Sequence, residues 1–234
     1  MDRKTLLASA SLLALSLGST AALADVMETY VGINARSPGD VVAAIDRFFS
    51  TDAAKGYKVF LVRSVFDGAD PASHFLVSEY DSYAAYEDMV GKRYSSDAWG
   101  NAMGAVLAAG TPIRNGFGII RADYGEGWPE RDNFVMVYSI NVTDSAAYAK
   151  AFDKLANSET GKKAPGITRL MENRSAGQAP THYVVMSAPS FASLNEHLDM
   201  MFASDDYKKF SDDVEDIRTI VGTATYSKVK AWEK

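Results

Sequence analysis

The sequence predicts an α+β protein made of two tandem βαββαβ units. Three observations predict it: a repeat at nearly constant spacing, the same succession of strand-like and helix-like segments in each copy, and a glycine-rich break between the copies. The repeat is plainest in "SHFLVSEYDSYAAYEDMVGKRYSSDAWGNA" (73–102) and "THYVVMSAPSFASLNEHLDMMFASDDYKKF" (181–210). At a spacing of 108 residues, His74/His182, Val77/Val185, Ser82/Ser190, Ala84/Ala192, Ser96/Ser204 and Asp97/Asp205 are identical. Aromatic character is kept at Phe75/Tyr183, Tyr83/Phe191, Tyr94/Phe202 and Trp99/Tyr207. Upstream the spacing is 107, and Ile33-Asn34 meets Ile140-Asn141. Collinear matches over this length indicate a duplicated unit of about a hundred residues.

Each element follows in order. "VMETYVGIN" (26–34) and "NFVMVYSIN" (133–141) are rich in strand formers. In the first copy Ser37 is placed to cap a helix, with Pro38 at its first position and Asp40 completing a capping box. Val41, Ile45, Phe48 and Phe49 then share one helical face, as do Tyr148, Phe152 and Leu155 in the second copy. Two strands joined by Gly-, Pro- and Asp-containing turns come next, at 57–66 with 74–80 and at 167–173 with 181–187. A longer helical stretch opens at Ser82 or Ser190, each a good N-cap, and Ser-Asp at 96–97 and 204–205 marks a cap or bend within it. "RNGFGIIRADY" (114–124) and "GTATYSKVKAW" (222–232) close the units. This order is the split-βαβ, ferredoxin-like topology. "YGEGWPER" (124–131) is the expected linker, between a first unit at 25–123 and a second at 132–234. Two such sheets packed face to face would form a pseudo-dimer within one chain, and a monomer is expected.

Residues 1–24 read as an export signal: a short basic start, an apolar run from Leu6 to Leu17 and the small-x-small site Ala22-Leu23-Ala24. That run is too short for a bilayer-spanning helix, which needs about 20 residues. Export to a periplasm, or secretion, is expected, with Asp25 as the first mature residue. The chain has no cysteine, so its stability must come from its core and not from disulfides. Its net charge of −6 argues against nucleic acid and anionic membranes as partners.

The segments "FLVSEYDSYAAYEDMV…SSDAW" and "LNEHL…ASDDYKKF" resemble the dimeric α+β barrel superfamily, and most of all its antibiotic-biosynthesis-monooxygenase branch. The resemblance covers both units. It implies a pocket between sheet and helices that takes flat aromatic or polyketide-like molecules, and in some relatives oxygenation without a cofactor. In it Glu79 matches a strand glutamate of the first unit, and His197 a helical histidine of the second, where the first has Met89. Some relatives degrade haem with a helical histidine, an asparagine and a tryptophan. Asn141 could be that asparagine, but no tryptophan lies near His197, so no cofactor is expected and haem is disfavoured.

No phosphate-binding loop, dinucleotide fingerprint, zinc-protease motif or serine elbow occurs. His74 and His182 open equivalent strands and read as turn-stabilising residues. His197 lies on the shoulder of its helix's apolar stripe, facing either solvent or a pocket rim, and imidazole suits proton transfer. Glu79 alternates with Phe75 and Val77, and the sequence leaves open which strand face is inside. The candidate acid–base residues are His197 and Glu79. The candidate ligand contacts are Met89, Tyr86, Tyr94 and Trp99 in the first unit, and Asn141, Met201 and Tyr207 in the second. The second unit is expected to hold the more polar pocket, lined by His197. Three functions follow: binding of a small hydrophobic or aromatic molecule, a cofactor-independent monooxygenase using His197, or an interaction module without a ligand.

Overall fold

The computed structural model describes residues 26–68, 70–175 and 180–234. The expected leader and cleavage site lie outside the described residues. The first half runs β1 (Met27–Ala35), α1 (Pro38–Phe49), β2 (Lys58–Phe66), β3 (His74–Tyr80), α2 (Tyr83–Tyr94), α3 (Asp97–Ala109) and β4 (Gly110–Tyr124). The second runs β5 (Phe134–Val142), α4 (Ser145–Ala156), β6 (Thr168–Asn173), β7 (His182–Ala188), α5 (Phe191–Phe202), α6 (Asp205–Val214) and β8 (Arg218–Glu233).

Local chemistry sets the helix ends. Ser82, Ser96, Ser190 and Ser204 each accept a bond from the backbone N–H three residues on, at 3.1–3.2 Å. The repeated Ser-Asp is therefore a cap that divides each long helical stretch in two, with the aspartate in the first turn, where the helix dipole favours it. Ser37 differs from expectation. Its side chain makes no cap bond, and its carbonyl instead receives the N–H groups of Asp40 and Val41. Pro38, which has no N–H to satisfy, starts α1.

All strand pairs are antiparallel, and they close into an eight-stranded barrel in the order β1-β3-β2-β8-β5-β7-β6-β4. The order β4-β1-β3-β2 of the first half recurs as β8-β5-β7-β6 in the second. Even the irregularities recur: the register slips between Gly32 and Ile33 on β1 and between Ser139 and Ile140 on β5. The expected face-to-face stacking is not what joins the halves. They join edge to edge, β2 to β8 and β4 to β6. Pairing the edges satisfies backbone groups that separate sheets would leave open.

Each strand thus has an outer face under the helices and an inner face toward the barrel axis. The outer faces hold the main cores: Ile140, Tyr148, Leu170 and Leu194 in the second half, and Ile33, Val41, Leu61, Phe48 and Ile119 in the first. His74 and His182 are buried at equivalent positions. Their Nδ1 atoms lie 2.9 Å from the Ser73 and Thr181 hydroxyls, which accept bonds from the Ala35 and Val142 N–H groups. Both histidines brace the strand ends, as their positions in the repeat suggested.

Candidate functional site in the barrel

An eight-stranded barrel has an interior just wide enough to be filled by side chains or to hold one small ligand. Here a cavity of about 120 Å³ remains. Strand alternation decides its walls. Phe75 and Val77 of β3 face inward, and so do Tyr183 and Val185 of β7. Val184 and Met186, the intervening residues of β7, face the helices. Tyr30, Val137 and Tyr226 complete much of an apolar, aromatic wall.

One end of the cavity is charged. Glu28 on β1 stands opposite Glu79 on β3, and Asp123 on β4 opposite Arg169 on β6. The Arg169 guanidinium gathers all three carboxylates. Its Nη1 donates to Glu79 Oε1 at 2.6 Å and to Glu28 Oε2 at 3.1 Å, while Nε and Nη2 both donate to Asp123 Oδ2, at 3.1 and 2.7 Å. The Arg169 side chain is 8 % exposed and that of Glu28 is 15 %. Burial raises the Glu28 carboxyl to about 7, against the pull of Arg169, and the neighbouring Glu79 charge adds to the rise. The same carboxylates hold the Arg169 guanidinium firmly protonated despite its burial.

The rest of the interior is aromatic. The Tyr30 and Tyr183 hydroxyls are 3.2 Å apart, and their rings meet edge to face. Burial raises Tyr183 well above the ordinary tyrosine range and Tyr226 to about 12, so both hydroxyls stay protonated. Gly116 leaves the space that Tyr30 needs, because a Cβ there would overlap the Tyr30 ring and hydroxyl. Arg114 sits 5.0 Å from the Phe75 ring centroid and is tied to Asp70 at 2.5 Å. Trp128, on the segment between β4 and β5, reaches the cavity and packs edge-on against Phe60.

The repeat makes the asymmetry legible. Glu28 corresponds to Val135, and Glu79 to Ser187. Arg169 pairs with Val185 as Phe60 pairs with Val77, so Arg169 corresponds to Phe60. The charged end therefore has an uncharged counterpart at each of these three positions. There the fully buried Asp132 accepts a bond from the Ser187 hydroxyl, and Ser187 accepts one from the Ile167 N–H at 2.9 Å.

Of the residues singled out in the sequence, Glu79 joins the charged cluster through Arg169 without itself lining the cavity. Met201 and Tyr207 line a smaller cavity of about 60 Å³ between the second half's sheet and its helices, beside Tyr138, Tyr148 and Arg218. The other residues line neither cavity. Met89 is buried in the first half's core with Tyr86 and Trp99 packed around it. Trp99 stacks on Tyr57, and the Arg93 guanidinium lies 4.6 Å from the Trp99 ring centroid, so the space expected around Met89 is filled by the protein's own side chains. Tyr94 is 91 % exposed and closes nothing. Asn141 is exposed, and its Oδ1 accepts the Thr181 N–H at 3.3 Å. His197 is 4 % exposed on α5, and neither ring nitrogen has a hydrogen-bond partner among the described residues. It lines neither cavity, which differs from the expected polar pocket around it. Burial lowers its pKa and keeps it neutral. Among the described residues no cluster of three or more acidic or histidine side chains is arranged to hold a metal ion.

The sequence reading missed Glu28, Arg169 and Asp123. The signal was present: Glu28 and Arg169 are charges on the same alternation face as apolar neighbours, Tyr30 and Met171. On a sheet with one wet face such residues would be solvent-facing; on a closed barrel that face is interior.

No protein-family model matches the chain, and no curated protein does. Solved structures share its fold. A candidate monooxygenase from Fusobacterium nucleatum superposes with a TM-score of 0.60 at 11 % identity, over 89 % of this chain and 94 % of that one. An anthrone oxidase-like protein gives 0.58 at 13 %, over 90 % and 94 %. A heme-binding protein from Thermus thermophilus gives 0.54 at 8 %, over 89 % and 92 %. The last corrects the expectation that no cofactor belongs here with haem disfavoured: the fold is shared with a protein described as binding heme. At these identities the likeness establishes architecture, and the architecture is that of the dimeric α+β barrel.

Proposed function

We propose that the protein binds a small, largely apolar molecule, about one aromatic ring in size, inside its barrel. The observation that carries this reading is the cavity of about 120 Å³, apolar over most of its wall and charged at one end. An apolar cavity of roughly 150 Å³ is enough to take up benzene. A polyketide-sized ligand is too large for it. A pocket with apolar walls and few converging polar groups is the usual form of a small-molecule site. In this reading the chain is an exported duplication, with units at 25–123 and 132–234, working as a monomer. The test uses Trp128 as reporter. The chain has three tryptophans, so Trp99→Phe with Trp232→Phe leaves Trp128 alone. Toluene should change its emission saturably. No change, with the variant folded, would favour an interaction module without a ligand.

A second reading is haem binding at His197, favoured by its buried, unpartnered, neutral imidazole, the form that ligates iron. The donor fits; the space does not. The cavity that α5 helps to line through Met201 and Phe202 is about 60 Å³, against at least ~300 Å³ for a ligand pocket of drug size. No step is therefore assigned to haem. Titration of the protein with hemin tests it: a Soret shift that is lost in His197→Met would support haem. The oxygenase reading that uses His197 has the shared fold as its support, since His197 reaches neither cavity.

A further inference from the structure

We infer that the molecule held in the barrel is a cation, an aromatic or aliphatic amine whose ammonium group is met by Glu28, with Glu79 beside it on the neighbouring strand. The inference deepens the proposed function and rests on it. Two independent features of the cavity point the same way.

The first is charge. Three carboxylates converge on one guanidinium, so the cluster is formally short of two positive charges. Arg169 spends Nε and Nη2 on Asp123, leaving Nη1 to serve both glutamates. The other cation on the cavity wall, Arg114, is tied to Asp70. Burial holds the Tyr183 and Tyr226 hydroxyls protonated, so they bring no charge. Glu28 answers the shortage in the ligand-free protein by keeping a proton to about neutral pH. An ammonium ion placed beside Glu28 would supply one of the two missing charges and release that proton.

The second is the wall itself. Tyr30, Phe75, Tyr183, Tyr226 and Trp128 bring five aromatic side chains to a space about one ring wide. Aromatic faces attract cations, and more strongly once water is excluded. An anionic ligand would meet the Glu28 carboxylate, and a neutral one would leave both missing charges unmet.

Binding of an amine must therefore strengthen as pH rises through about 7, since Glu28 then needs no deprotonation. The probes are benzylamine, benzyl alcohol, toluene and benzoate, with affinities measured calorimetrically at about pH 8 and about pH 5.5, on either side of the Glu28 titration. At the higher pH benzylamine should bind at least about tenfold tighter than toluene or benzyl alcohol, a step of about 1.4 kcal/mol. That preference should shrink at the lower pH and in Glu28→Gln, with toluene affinity nearly unchanged. If Glu79→Gln also folds, it should behave alike; Glu28→Gln, an isosteric change, decides alone if it does not. Toluene binding with no preference for the amine, a preference that survives Glu28→Gln, or tighter binding of benzoate each overturns the cation assignment and leaves the barrel site standing. Failure of all four probes overturns both.

Discussion

Glu28 and Glu79 stand directly opposite each other on adjacent antiparallel strands, and both accept a hydrogen bond from the same nitrogen of Arg169. Like charges in that register repel, and burial makes the repulsion stronger. A pair of this kind persists because a third group compensates it. The polar end of the barrel is therefore built around Arg169, and its removal should show this. Arg169→Met should cost about 3–5 kcal/mol near pH 8, the usual effect of stranding buried charges, read from urea denaturation. The cost should fall when Glu28→Gln and Glu79→Gln are added, because nothing charged is then stranded.

Glu28 also makes stability depend on pH. Its carboxyl rises from 4.5 unfolded to about 7 folded, so between these values the folded state holds more protons. Stability from this group is complete below about pH 4.5 and is lost as pH rises through 7. The loss is on the order of 3 kcal/mol. His74, His182 and His197 act in the opposite sense: burial lowers each below 6.5, so each costs stability as pH falls below that value. The difference between the wild type and Glu28→Gln isolates the carboxyl. The variant should lose less stability between about pH 5 and pH 8 than the wild type does. Equal slopes would mean that Glu28 titrates normally.

His197 makes a separate prediction. A buried imidazole with both nitrogens unpartnered among the described residues carries a desolvation cost of about 1–3 kcal/mol. His197→Met, the residue its repeat partner Met89 already has, should raise stability by about 1 kcal/mol at neutral pH and more in acid. A large loss of stability would show that the imidazole has a partner in solution.

Gly116 holds open the room that the Tyr30 ring occupies. Gly116→Ala would overlap Tyr30 and the Ser175 hydroxyl. It should destabilise by about 1–3 kcal/mol, as overpacking does, and weaken toluene binding by pushing Tyr30 into the cavity.

The architecture was legible because duplication wrote it twice. The serine caps and the strand His74/His182 recur at fixed spacing, and local physics turns each into the same structure. Ser37 misled, because a cap geometry depends on a backbone turn that the residue type alone does not specify. Most of the site was not legible, for one physical reason. Alternation places Glu79 with Phe75 and Val77 on one face of β3, but which face is interior depends on how β2, β4, β6 and β8 meet. Edge-to-edge closure turned a face that looked half-polar into the lining of a cavity. It also placed Glu28 and Asp123 around the guanidinium of Arg169, which is up to 141 residues away in the chain. Differences between the copies did mark the site, though at Glu28/Val135 and Arg169/Phe60 and not at His197/Met89.

The most direct test of the central claim uses two adjacent residues of β7. Val185 lines the barrel cavity, and Val184 lines the smaller one beneath the helices. Toluene affinity is measured calorimetrically for the wild type, Val185→Phe and Val184→Phe, each first shown to be folded. Filling the barrel with Val185→Phe should abolish binding, and Val184→Phe should leave it within about twofold, since successive strand side chains point to opposite faces of the sheet. Binding that survives Val185→Phe and disappears in Val184→Phe would place the ligand under the helices and contradict the account.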